Sequence, residues 1–261
     1  MTRPREALLR LPGPLVEAAW VARHLEHPDL VVADVRWDPD GSAHRRYEEG
    51  HLPGAVFVDV DRDLSAPRSP GSGRHPLPAP EDFAAAMARL GIGDGTAVVA
   101  YDDAGGAYAA RLWWMLRVTG HEAAVLDGGL AAWAGPLEAG PGRPRPPATF
   151  APRPWPEELL ARAEDVERAR GDPGSVILDA RAPERYRGEV EPIDPVAGHI
   201  PGARNAPFPG NLDPATGRFL PPEELRRRFE ALGAGRGRDV IVYCGSGVTS
   251  CHLLLAMELA G

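Results

Sequence analysis

The chain has 261 residues and 43% of them are hydrophobic, so it is long enough to fold into two domains with a core each. Its formal net charge of −8 argues against general binding to nucleic acid or to an acidic membrane, because both favour basic surfaces. Two cysteines are too few for a disulfide framework, and a thiol kept for chemistry suits a reducing compartment, so we expect a cytoplasmic protein.

Short runs of valine, isoleucine and leucine alternate along the chain with stretches of helical pattern. In chain order, the predicted elements are a strand at 31–36, a helix at 81–90, strands at 97–102 and 176–181, a helix at 222–232, a strand at 240–244 and a helix at 248–259. This alternation is typical of an α/β fold with a mainly parallel sheet. Ligands of such sheets bind beyond the carboxyl ends of the strands.

Three segments of the first half of the chain recur, in the same order, in the second half. The paired segments are 31–36 and 176–181, 51–55 and 199–203, and 97–102 and 240–244. Such self-similarity indicates two copies of one structural unit. The proline-rich stretch between the copies fits neither a regular helix nor a central strand. We therefore predict domains at residues 15–138 and 159–261, joined by a linker at 139–158.

Some polar residues occur at the same place in both copies, which favours structural roles for them. They are Asp34, Arg36 and His51 in the first copy and Asp179, Arg181 and His199 in the second. We expect the aspartate and the arginine of each copy to form an ion pair that braces the end of a strand.

The most distinctive segment is 240–249, in which an apolar strand delivers Cys244 into a turn with two glycines. Gly245 and Gly247 can take a positive φ, which lets successive backbone amides surround the sulfur. The following helix places its positive end at the same turn. Both effects favour a thiolate, so Cys244 is a candidate nucleophile. The alternative is a small apolar residue at the end of a buried strand, which would not require the two glycines.

Together these motifs resemble the rhodanese superfamily of sulfurtransferases. The motifs are the Asp-x-Arg strand ends, the two His-x-Pro-Gly-Ala turns, Arg-Tyr-Arg-Gly at 185–188 and Cys-Gly-Ser-Gly-Val-Thr at 244–249. The resemblance implies an α/β protein of two tandem rhodanese-like domains, each a mainly parallel sheet flanked by helices. It also implies a catalytic C-terminal domain and an N-terminal domain without the nucleophile. The sequence agrees, because Asp102 stands in the first copy where Cys244 stands in the second.

The resemblance implies that Cys244 accepts a sulfane sulfur as a persulfide and passes it to a thiol, cyanide or protein acceptor. It also implies that the Arg185 guanidinium anchors the donor, the alternative being a surface ion pair with Glu184 or Glu189. The loop amides would stabilise the added negative charge. The substrate-binding loop residues are Gly245, Gly247, Val248 and Thr249. We expect no cofactor and no metal.

Members that resemble mercaptopyruvate sulfurtransferases also use a relay of serine, histidine and aspartate. Ser246, His75 and Asp61 match these positions here. A carboxylate that orients an imidazole, which in turn polarises a hydroxyl, is sound chemistry for this step. The alternatives are a turn-forming Ser246 bonded to its own backbone and a solvated loop that holds His75 and Asp61.

The sequence leaves two sulfur donors open. The residues after Cys244 are neutral, as in the mercaptopyruvate pattern, whereas thiosulfate-preferring relatives carry basic side chains there. Against this, the mercaptopyruvate enzymes usually have a second substrate arginine, and Asp194 stands at about its place. Arg187 and Arg204 are the substitutes that the sequence suggests. We predict 3-mercaptopyruvate as the donor, with thiosulfate as the alternative.

Three other functions fit the sequence less well. A phosphatase of related fold needs an arginine six residues after the cysteine, where Ser250 stands. A redox pair of Cys244 and Cys251 lacks the Cys-x-x-Cys spacing. A non-enzymatic regulatory rhodanese-like module would usually have lost the cysteine or the loop glycines.

The second copy is shorter than the first. The first copy continues with a predicted strand and helix at 122–133, whereas the second copy stops at Gly261 before any equivalent. In the related fold that strand lies beside the strand leading to the cysteine, so residues 240–243 would form an open apolar edge. We expect that the C-terminal copy lacks its last strand and helix and that the native product continues for roughly this length.

Overall fold

The computed structural model describes residues 9–261, which form two compact units. The first unit comprises residues 9–67 and 75–155, and the second comprises residues 68–74 and 156–261. Each unit has its own parallel sheet and its own apolar core. Within the described part of the chain, no helix is both long enough and apolar enough to span a membrane.

The first unit contains a five-stranded parallel sheet with the strand order β1-β5-β4-β2-β3. Its strands are β1 (Leu15–Val16), β2 (Leu30–Asp34), β3 (Val56–Phe57), β4 (Ala97–Tyr101) and β5 (Ala123–Leu126). Its helices are α1 (Ala18–His24), α2 (Ala43–Glu49), α3 (Pro80–Arg89) and α4 (Ala109–Val118). All residues of β2 and β4 are buried, as expected for the centre of a parallel sheet.

The prediction of a helix after β5 is wrong. Only a short 3-10 turn forms there, at Gly129–Ala132. Gly128 and Gly129 take φ values of 83° and 57°, which do not belong to a right-handed α-helix.

The second unit contains a three-stranded parallel sheet with the order β7-β6-β8. Its strands are β6 (Ser175–Asp179), β7 (Arg204–Asn205) and β8 (Asp239–Tyr243), and its helices are α5 (Ala163–Gly171), α6 (Pro183–Tyr186), α7 (Pro222–Ala231) and α8 (Thr249–Ala260). Among the described residues β8 pairs only with β6, whereas its counterpart β4 lies between β2 and β5. The residues of β8 are accordingly more exposed than those of β4.

The recurring aspartates and arginines form an ion pair in each unit, as predicted. Arg36 binds Asp34 at 2.7 Å and donates to the carbonyl just before the His-x-Pro-Gly-Ala turn at 2.8 Å. Arg181 repeats both contacts, with Asp179 at 2.7 Å and the equivalent carbonyl at 2.6 Å. The pair therefore neutralises a buried charge and joins the strand end to the turn.

The recurring histidines each stack on a tyrosine of the same unit. The ring centroids of His51 and Tyr47 are 4.0 Å apart, and those of His199 and Tyr186 are 3.7 Å apart. Each histidine Nδ1 also bonds to the carbonyl of its tyrosine, at 2.8 Å and 2.7 Å. These contacts fix the turn, which explains why the histidines recur in both copies.

The proline-rich residues 139–155 pack within the first unit. Phe150 is buried, and its ring stacks on His121 with centroids 4.1 Å apart. The indole nitrogen of Trp155 donates to the carbonyl of Pro78 at 2.7 Å. An irregular proline-rich segment can thus bury its aromatic side chains, although it forms neither helix nor strand.

Candidate active site

Cys244 follows β8 and opens the turn that leads into α8, and its side chain is partly buried. Gly247 takes a positive φ of 77°, as predicted. The same prediction is wrong for Gly245, whose φ lies outside the left-handed region. A Cβ at Gly245 would instead lie 2.7 Å from an Asp194 carboxylate oxygen, so this glycine permits a close approach. Val248, the last residue of the turn, is buried.

Backbone amides surround the thiol of Cys244. The N–H of Gly247 donates to Sγ at 3.0 Å and that of Ser246 at 3.4 Å. Burial alone would raise the pKa of the thiol, but hydrogen bonds to the sulfur outweigh it and hold the pKa below its ordinary value. Their donors are the side chain of Thr249 and the amides of Ser246, Gly247 and Ser250. These hydrogen bonds favour the thiolate, which is the nucleophilic form of cysteine.

The matching loop of the first unit holds a carboxylate in place of the thiol. Asp102 is fully buried and accepts four backbone N–H groups at 2.8 to 2.9 Å. The donors belong to Ala104, Gly106, Tyr108 and Ala109. Burial raises the pKa of Asp102 although these amides act in the opposite direction. The loop of this repeat is therefore an anion-binding loop, and Asp102 fills it with its own side chain.

Arg185, in α6, belongs to a largely buried charge cluster. Its Nη2 lies 2.7 Å from Glu191 and 2.8 Å from Asp194. Burial alone would raise the pKa of Glu191, but two backbone amides and the Arg185 guanidinium lower it to about 2. The alternative surface pairs with Glu184 or Glu189 do not form at Arg185 in the described residues.

Arg74 also belongs to this cluster, and no role was predicted for it from the sequence. Its Nε lies 2.9 Å from Asp194, so this carboxylate bridges Arg74 and Arg185. The available signal was Asp194 itself, because an acid in place of an expected arginine requires a cation elsewhere. The substitutes suggested from sequence lie outside the cluster. Arg187 pairs with an exposed glutamate, and Arg204 donates to a backbone carbonyl.

Asp61 and His75 contact each other within the first unit. His75 Nε2 lies 2.8 Å from Asp61 Oδ1, and the indole nitrogen of Trp37 donates to Oδ2 at 2.8 Å. The His75 side chain is buried, while that of Asp61 is 61% exposed. Ser246 belongs to the second unit, so its action together with this pair stays a prediction.

Known proteins match nearly the whole chain in sequence and in fold. A family model of the rhodanese-like domain matches residues 17–136 and 162–261. The chain is 51% identical over 257 residues to a "Probable 3-mercaptopyruvate sulfurtransferase" of Pseudomonas aeruginosa, covering 95% of this chain and 89% of that protein. It is 39% identical to human 3-mercaptopyruvate sulfurtransferase, covering 95% and 86% of the two chains. The crystal structure of SseA from Escherichia coli, a 3-mercaptopyruvate sulfotransferase, matches with a TM-score of 0.83 at 35% identity, covering 95% and 94%.

Proposed function

Because the chain belongs to the rhodanese family and is a sulfurtransferase, we propose that it moves sulfur from 3-mercaptopyruvate to a thiophilic acceptor through a persulfide on Cys244. The observation that carries the proposal is a thiol bonded by backbone amides, with a lowered pKa. The thiolate is the nucleophile, and the same amides suit the negative charge of a persulfide.

In the first half-reaction, the Cys244 thiolate attacks the sulfur of 3-mercaptopyruvate. The C–S bond breaks, and its electron pair forms the enolate of pyruvate, which takes up the proton of the donor thiol. The products are pyruvate and the persulfide anion of Cys244. In the second half-reaction, a small-molecule thiol, cyanide or a protein thiol attacks the outer sulfur and releases Cys244 as a thiolate.

Two features support 3-mercaptopyruvate over thiosulfate. The four residues that follow Cys244 carry no basic side chain for a compact dianion. Arg185 is suited to a carboxylate, and the relatives described above are named for 3-mercaptopyruvate. We include Ser246, His75 and Asp61 in the proposal as the groups that polarise the donor carbonyl.

The first prediction concerns the donor. With cyanide as acceptor, we expect thiocyanate from 3-mercaptopyruvate at a higher kcat/KM than from thiosulfate, and none above background from Cys244→Ser. Cys251→Ser is the matched control, because Cys251 is buried and its Sγ lies 3.3 Å from the carbonyl of Gly247, a contact that a serine can retain. Thiocyanate from neither donor, or undiminished formation by Cys244→Ser, would overturn the proposal.

We further propose that the protein works in a reducing compartment such as the cytoplasm. Cys244 and Cys251 are not joined by a disulfide, and the reaction needs Cys244 as a thiolate. Small sulfur donors and thiol, cyanide or protein acceptors are its proposed partners. The net charge of −8 gives no general electrostatic attraction to nucleic acid or to an acidic membrane.

A further inference from the structure

One carboxylate spans two arginines in the second unit. Asp194 Oδ1 accepts from Nε of Arg74 at 2.9 Å, and its Oδ2 accepts from Nη2 of Arg185 at 2.8 Å. The exposed fractions of the three side chains are small, at 18% for Arg74, 15% for Arg185 and 21% for Asp194. The two guanidinium groups are therefore held at a spacing that a single carboxylate can bridge.

These three side chains lie against the residue that follows the nucleophile. A Cβ at Gly245 would lie 2.7 Å from Asp194 Oδ2 and 3.4 Å from Arg185 Nη2, and closer still to Arg74 Nη2. In 3-mercaptopyruvate, two carbon atoms separate the sulfur from the carboxylate carbon. A donor whose sulfur is at Cys244 must therefore place its carboxylate within a short distance of the turn.

The two arginines differ in how much of their hydrogen-bonding capacity is already used. Arg185 is bonded to Glu191 through Nε and Nη2, at 3.2 Å and 2.7 Å, as well as to Asp194. Arg74 bonds to Asp194 through Nε, and its Nη2 is the atom nearest to the position of a Gly245 side chain. Arg74 thus directs one edge of its guanidinium group to the turn. There it can bind the carboxylate of a donor together with Arg185.

We propose that Arg74 and Arg185 bind the carboxylate of the sulfur donor together, and that Asp194 is a positioning residue that holds both guanidinium groups for it. The identity of that carboxylate rests on the function proposed above. The second substrate cation is then supplied by the segment 68–74, and not by Arg187 or Arg204. An exchange of charge explains why an aspartate can stand at position 194.

Alkylation of Cys244 tests this proposal without any sulfur donor. Iodoacetate and iodoacetamide react through the same carbon, but only iodoacetate carries a carboxylate. In Arg74→Ala we expect the ratio of their rate constants, iodoacetate over iodoacetamide, to fall about tenfold, because a charge-assisted hydrogen bond is lost. The rate with iodoacetamide alone is expected to fall less than the rate with iodoacetate, because iodoacetamide has no carboxylate for Arg74 to bind.

Two further variants serve as controls. Arg74→Lys keeps the charge but loses the planar fork, so its ratio is expected to lie between those of the wild type and Arg74→Ala. Arg187→Ala removes an exposed arginine that pairs with Glu189, and its ratio is expected to match the wild type. An unchanged ratio in Arg74→Ala would overturn the proposal. An equal loss of rate with both reagents would also overturn it, because the role of Arg74 would then be structural.

Steady-state kinetics with 3-mercaptopyruvate test the carboxylate site separately from the identity of the donor. We expect KM for 3-mercaptopyruvate to rise about tenfold in Arg74→Ala with kcat little changed. The reason is that Arg74 would bind the carboxylate equally in the bound substrate and in the transition state. A fall in kcat with an unchanged KM would contradict the role assigned to Arg74. If the alkylation ratio falls but the wild-type protein does not use 3-mercaptopyruvate, the carboxylate site stands and the proposed donor is wrong.

Discussion

At the residue scale, two equivalent loops differ in the side chain that they surround. Asp102 engages four backbone amides with its own carboxylate, so the first loop already holds its anion. Cys244 presents a thiol to the amides of Ser246 and Gly247, and this group can gain and lose a sulfur atom. The anion-binding loop is common to both copies, and the side chain decides which copy can carry sulfur.

The lowered pKa of Cys244 predicts the pH dependence of its alkylation. A lowered pKa means that thiolate persists to lower pH, so iodoacetamide should react with Cys244 at pH values where an ordinary cysteine is mostly protonated. Thr249→Val removes a hydrogen bond that favours the thiolate. In this variant, the midpoint of the pH dependence of the alkylation rate should move to higher pH. Thr216→Val, at an exposed threonine, is the control. A midpoint in Thr249→Val that is unchanged or lower would contradict this assignment.

The sequence was sufficient for residues whose chemistry is local and insufficient for those defined by distant contacts. Cys244 and Gly247 follow from one short motif, because strand, turn and helix are adjacent along the chain. The reason for Gly245 and the presence of Arg74 depend on a cluster whose members are far apart in the sequence. Asp194 indicates that a cation is present nearby, but the sequence does not show that Arg74 supplies it.

At the element scale, the predicted helices at 222–232 and 248–259 agree with α7 and α8 to within one residue at each end. Their boundaries follow from proline at the start of one and from the glycine turn before the other. The prediction for 122–133 was less successful, because the two adjacent glycines replace a helix by a short turn. Backbone conformation at glycine is set by the surrounding structure, so composition alone does not fix it.

The strand-end ion pairs are expected to stabilise the strands and turns that they join. Arg36→Ala leaves Asp34 buried without its guanidinium partner, since the two side chains are 4% and 0% exposed. We expect the free energy of unfolding to fall by about 3 to 5 kcal/mol, measured by urea denaturation. Arg45→Ala removes an exposed arginine from an i,i+4 pair and should change stability little. Equal effects of the two substitutions would contradict the bracing role.

At the scale of the whole molecule, one chain carries two unequal copies of a single architecture. The first unit has a five-stranded sheet with a fully buried central strand β4, and its loop holds Asp102. The second has three described strands, and the nucleophile follows β8. The repeat predicts this pairing of copies, whereas Arg74, which we propose as the second substrate cation, is evident only from the geometry. One chain should therefore accept sulfur at one of its two loops.

The sulfur content of the chain after a single half-reaction tests that claim most directly. Incubation with 3-mercaptopyruvate and no acceptor, followed by intact-mass and peptide-mass measurement, is predicted to add one sulfur atom per chain at Cys244, with release of one pyruvate. Cys244→Ser is predicted to keep its original mass. Sulfur uptake by that variant, or pyruvate release from the wild type without sulfur on Cys244, would contradict the account.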